Sequence, residues 1–150
     1  TYHWFINSKK GYAPGTIALC GFNYGEETSN KKFRYHEWLS GGAIMHHKNN
    51  LILKNYYPFK FKRSVCEDIL HSFILQKNKI KLVKLYTAKV YAKESTRITD
   101  EKTFIIVLKN FFNEFLVRKY IVKTSNLSIL RLYVFYLIYF LRVLFIQIKK

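Results

Sequence analysis

"RSVCEDILHSFILQ", residues 63–76, sets Glu67 and Asp68 side by side at the head of an apolar run. Acids are scarce in this chain, nine Asp and Glu against 26 Lys and Arg in 150 residues, so adjacent ones ask for a reason. One reason is local. Ser64 and Glu67 form the S-x-x-E pattern of a capping box, and carboxylates near a helix N-terminus are favoured by its dipole. The spacing predicts a helix with Ile69, Leu70, Phe73 and Ile74 on one broad apolar face, ending at "KNK" (77–79). The second reason is chemical. A carboxylate held ionised at a helix start is competent to accept a proton.

Upstream, "WLSGGAIMHHK" (38–48) reads as a strand bent at Gly41 and Gly42, where a missing side chain lets a ligand approach the backbone. "TIALCGF" (16–22) reads as a buried strand, and "NYGEETSNKKFRYHE" (23–37) as a polar loop. "NNLILKNYYPF" (49–59) reads as a short helix stopping before Pro58. "IKLVKLYTAKVYA" (80–92) alternates as a strand does. A second helix fits from Asp100 to about Val122, with Phe104, Leu108, Phe111, Phe115 and Leu116 on its apolar face and Asp100 and Glu101 in its first turn.

Leu127 to Ile148 would be about 33 Å long as a helix, enough for a hydrocarbon core of roughly 30 Å. Arg131 and Arg142 oppose a plain span, since each costs about 3 kcal/mol at a bilayer centre. On a helix those arginines and Lys149 fall within about 20° of one another. The expectation is an interfacial helix, with aromatics in the lipid and cations among headgroups, ahead of a spanning or buried one.

The net charge of +17 favours anionic partners, while 49% hydrophobic residues exclude a disordered polycation. Nucleic acid ranks low, because the lysines are scattered and no recognisable module appears. Cys20 and Cys66 have no CxxC or metal-ligand spacing and read as free thiols. No secretory leader is expected at the N-terminus. The sequence starts at Thr1 rather than Met, as a piece of a longer chain would.

Residues 38–95, from "WLSGGAIMHHK" through "CEDILHSFIL" to "KVYAKES", resemble the second half of a family 2 glycosyltransferase catalytic domain. Trp38, Ser40, Gly41, Gly42, Glu67, Asp68 and Ser72 follow the family order and spacing, Ser95 and Arg97 resemble a later Ser-x-Arg element, and the likeness covers about residues 11–97. It implies an α/β fold, part of a GT-A sandwich, over residues 1–98, followed by membrane-associated helices over 99–150. It implies transfer of a sugar, with inversion, from a nucleotide-sugar donor to a glycan or lipid-linked acceptor at the cytoplasmic face of the cell membrane. Asp68 would be the general base and Glu67 its neighbour. Trp38, Ser40, Gly41 and Gly42 would meet the acceptor or substrate, and His47 would stand where relatives tend to carry an arginine for the diphosphate.

The chain departs from the pattern in three places. The family holds its donor through a divalent metal, Mg or Mn, on an Asp-x-Asp motif, whereas here Asp68 and Asp100 are the only aspartates. The nucleotide-binding first half is missing, so a partner carrying that half is implied. Ala92 stands in place of a late His. A decayed remnant, or a non-catalytic basic protein bound to an anionic membrane surface, is the alternative. His46 and His47, as consecutive strand residues, would face opposite sides and not chelate one ion. His71 reads as part of its helix's polar face.

Overall fold

A computed structural model describes residues 2–25, 30–41, 44–61, 64–88 and 104–148, with residues 146–148 described by backbone alone. The described residues form a mixed α/β arrangement of four α-helices and a two-stranded antiparallel sheet. In chain order these are α1 (Tyr2–Asn7), β1 (Phe33–His36), α2 (Glu67–Lys77), β2 (Leu82–Leu85), α3 (Phe104–Thr124) and α4 (Ile129–Ile148), with short 3₁₀ turns at Ser8–Lys10 and Lys48–Asn50. In the sheet Phe33 stands opposite Leu85 and His36 opposite Leu82.

Three expected elements take other forms. Ile17, Ala18, Cys20 and Gly21 are buried, but residues 16–22 close a tight hairpin rather than a strand. Gly15 N–H donates to Gly25 O, Tyr24 N–H to Thr16 O and Ala18 N–H to Phe22 O, with one bridge between Ile17 and Asn23. The described part of 38–48 is irregular, with a turn at Gly41. Residues 51–57 are not helical, and side chains make the local bonds seen there. Asn55 Oδ1 accepts from Tyr57 N–H at 3.0 Å, and the Tyr57 hydroxyl both donates to Val65 O at 2.8 Å and accepts from Val65 N–H at 3.0 Å. Such local bonds compete with helix formation. Conversely β1 falls in the expected polar loop. Asp100, Glu101, Ala92, Ser95 and Arg97 lie outside the described residues.

Helix α3 joins the two apolar clusters. Its Phe111 and Val122 pack with Ile6, Ala18, Cys20, Tyr24, Leu132, Phe135 and Tyr136. Its Val117 and Ile121 pack with Ile17, Trp38, Ile69 and Leu70. The buried stripe therefore centres on Arg118, and Leu116, about 160° away around the helix, is exposed. Phe104 is exposed as well, so of the five residues expected on the apolar face only Phe111 is buried.

Arg118 is only 5% exposed, and it is held on every side. Its Nε donates to Glu114 Oε1 at 2.8 Å, one guanidinium nitrogen to Gly21 O at 2.6 Å and the other to Asn23 Oδ1 at 3.0 Å. Its guanidinium carbon lies 5.6 Å from the centre of the Phe22 ring. Gly21 is required where it stands. Its φ is +78°, and a Cβ there would come within 2.7 Å of Val122 on α3.

Arg118→Leu leaves the Gly21 carbonyl and Asn23 without their donor. The expected loss is about 3 kcal/mol of unfolding free energy, measured by urea denaturation. A loss below about 1 kcal/mol would show that the clamp is dispensable.

Candidate active site at the start of the second helix

Helix α2 begins at Glu67, two residues later than a Ser64 cap requires. The N-cap position is Cys66, in the left-handed region at φ +54°, with no side-chain cap bond. The capping box does not form. Glu67 and Asp68 occupy the first two helical positions, and Asp68 Oδ1 accepts from Ile69 N–H at 2.8 Å.

What aims this helix is a pair of polar residues one turn apart. Ser72 Oγ accepts from Leu39 N–H at 3.1 Å, and the Gln76 side-chain amide donates to Glu37 O. From the other side, Glu37 N–H donates to Gly15 O at 2.8 Å, while Glu37 Oε2 accepts from Ile17 N–H at 2.7 Å. Residues 37–39 are thus stitched between the hairpin and α2. The consequence appears two residues on, where a Cβ placed at Gly41 would stand 3.7 Å from Asp68 Cβ. The acid pair and the glycine turn, far apart in sequence, meet in space.

The other expected site residues divide. Ser40 and Gly41 are exposed beside Asp68's helix, and Glu67 is exposed at its tip. Gly42 lies outside the described residues. Trp38 is buried among Ile17, Ile69 and Leu70, with its indole N–H donating to Tyr24 O at 3.0 Å, so it supports the core rather than offering a face to a sugar. His47 caps the turn Lys48–Asn50 by accepting from Asn49 N–H at 3.3 Å.

Asp68 is half-buried, and burial pushes its carboxyl above the ordinary 3.8. The Ile69 N–H and the Arg118 charge pull down and Glu67 pushes up, leaving a net rise. The helix start favours the charged form, but desolvation is the larger influence and the pKa rises. The ionised form is the stronger base for that. Cys66, by contrast, is pushed up to about 11 by burial first, and its thiol is not an activated nucleophile.

One feature was missed. His71, on the same face of α2 as Glu67 at i+4, faces His46 with Nε2 to Nε2 at 3.3 Å, and Tyr56 lies over it with ring centres 5.2 Å apart. Burial, then His46, lowers the His71 pKa from its ordinary 6.5, and the tautomers set which ring donates. Among the described residues no three His, Cys, Asp or Glu are placed to hold a metal ion. Two imidazoles are also a poor donor set for Mg or Mn, which favour oxygen. The divalent metal implied by the family resemblance therefore does not fit the residues described.

Comparison with protein-family models, with curated proteins and with solved structures returns no match.

The Asp68 shift fixes a sign. A carboxyl whose folded pKa is raised contributes stability that is present below its unfolded value and lost as pH rises through the folded one. Asp68→Asn, which keeps an acceptor for Ile69 N–H, should therefore have a higher urea midpoint than the unaltered chain at pH 7. The gap should close as pH falls below 3.8. A lower midpoint at pH 7 would contradict the burial of this carboxylate.

Proposed function

We propose that this chain is the acceptor-side half of an inverting, GT-A-type glycosyltransferase, with Asp68 as general base. The observation that carries the reading is the approach of Asp68 to Gly41: a half-buried carboxylate of raised pKa beside an exposed turn without a side chain. An alcohol is a weak nucleophile until a positioned base takes its proton, a contribution of about 10²–10⁴-fold. In the proposed step the acceptor hydroxyl enters over Gly41 and gives its proton to an Asp68 carboxylate oxygen. The freed oxygen forms the new bond to the anomeric carbon. The bond to the nucleotide diphosphate breaks on the opposite face, and its electron pair leaves with the phosphate oxygen. Glu67, at the exposed tip, orients the acceptor. The nucleotide-binding portion would come from elsewhere in a longer chain or from a partner. No step passes through a metal.

Membrane association is proposed on a separate observation. Leu130, Tyr133, Leu137, Leu141 and Phe145 form an outward stripe along α4, and Ile105, Phe112 and Leu116 are exposed on α3. The orientation differs from the expected one. Arg131 points inward, donating to the Phe5 carbonyl at the end of α1 and lying over the Phe5 ring at 5.7 Å. The outward stripe is apolar, and among the described residues no helix is long and apolar enough to cross a membrane. An apolar stripe on a chain of net charge +17 suits shallow insertion into an anionic leaflet.

With the nucleotide-binding portion supplied, Asp68→Asn should lower glycosyl transfer by about 10²-fold or more, read as product per enzyme, with the circular dichroism spectrum retained. Unchanged transfer would remove Asp68 from this role. Leu137→Glu combined with Leu141→Glu should lower partition onto anionic vesicles by about tenfold or more in a sedimentation assay. Equal partition would reject the α4 stripe as the contact.

A further inference from the structure

On a different face of the helix from the outward stripe, α4 lines a cavity of about 620 Å³, well inside the range of about 300–1,000 Å³ typical of small-molecule sites. Phe135, Ile138, Tyr139 and Arg142 follow one another at helical spacing along its wall. Phe22 and Tyr24 of the hairpin, with Tyr12, make the opposing side. The result is an aromatic trough that runs about 10 Å along α4 and meets a cation at one end. Glu114 also lines it, but that carboxylate is held by Arg118 at 2.8 Å, so the local charges sum to positive. Tyr24 is 1% exposed, its ring is set among His3, Tyr12 and Phe22, and its buried hydroxyl has no hydrogen-bond partner. A buried donor without a partner costs free energy that a bound acceptor relieves.

We infer that this trough binds a single-chain amphiphilic anion, its apolar body against the aromatic wall, its anionic head on Arg142 and a polar atom within reach of the Tyr24 hydroxyl. The length of the wall favours a chain over a compact ring, and the single cation at the end favours one anionic group. The site is separate from the Asp68 end of α2 and does not rest on the transferase reading. Its residues are also distinct from the outward stripe of α4, which allows the two to be told apart.

Dodecanoate below its micelle concentration serves as the probe, followed by titration calorimetry on the full chain. The expected result is one dodecanoate per chain, with dodecanol about tenfold weaker or worse and Arg142→Gln weakening dodecanoate about tenfold. Ile138→Trp, which fills the trough from a half-exposed position, should weaken it similarly, while Leu130→Trp on the outward stripe leaves it unchanged. Tyr24→Phe should leave the ligand-free thermal midpoint equal or higher and shrink the rise that dodecanoate produces. Several molecules per chain, no preference for the carboxylate over the alcohol, or equal sensitivity to Leu130→Trp and Ile138→Trp would each overturn the site.

Discussion

The fold rests on a guanidinium taken out of water. Burying Arg118 carries a desolvation cost of several kcal/mol, and three hydrogen bonds, a carboxylate and an aromatic face offset it. Because Gly21, Phe22 and Asn23 lie on the hairpin, their hold on Arg118 fixes α3 in rotation as well as position. That rotation decides which of its apolar residues face inward. It sends Phe111 and Val122 to one cluster, Val117 and Ile121 to the other, and leaves Leu116 outside. The charge reaches further, since it also acts on Asp68 and Cys66.

The candidate site follows from the same framework at one remove. The hairpin that Arg118 anchors also holds Glu37, and Glu37 and Leu39 are bound in turn by Gln76 and Ser72 of α2. Each link satisfies a backbone group that lacks a sheet partner, so the segment stays ordered without being a strand. The end of that chain of contacts is the meeting of Gly41 and Asp68. Ser72 matches the resemblance in sequence, but its hydroxyl serves to hold the helix in place. The tension at Asp68 is also physical: the helix start favours its charge, burial opposes it, and burial is the larger effect.

What could be read from the sequence followed periodicity. The three long helices announce themselves by apolar spacing, and each lies within a few residues of where that spacing puts it. The acid pair at the head of α2 and Gly41 stood out in the sequence by residue type as candidate site positions, and the structure brings Asp68 and Gly41 together. The failures share one cause. In 16–22, 38–48 and 51–57 the backbone bonds that the structure shows run to single bridges and to side chains such as Glu37, Ser72 and Asn55, and no local pattern encodes those partners. Strand β1 was hidden because Phe33 and Tyr35 alternate inside a lysine-rich stretch and find their register only against Val83 and Leu85. The His46–His71 pair needed tertiary structure, and so did the inward turn of Arg131.

The functional account depends on the closeness of positions 41 and 68, and that closeness can be captured covalently. A Cβ at Gly41 stands 3.7 Å from that of Asp68, within the span of about 3.5–4.5 Å that a disulfide bridges. In a Cys66→Ser background, Gly41→Cys with Asp68→Cys should oxidise to an intramolecular disulfide in the folded chain, read by mass spectrometry as the loss of two hydrogens and protection of both thiols from alkylation. If both thiols instead remain free and react independently under oxidising conditions, the carboxylate and the glycine turn are not neighbours, and the proposed acceptor site does not exist.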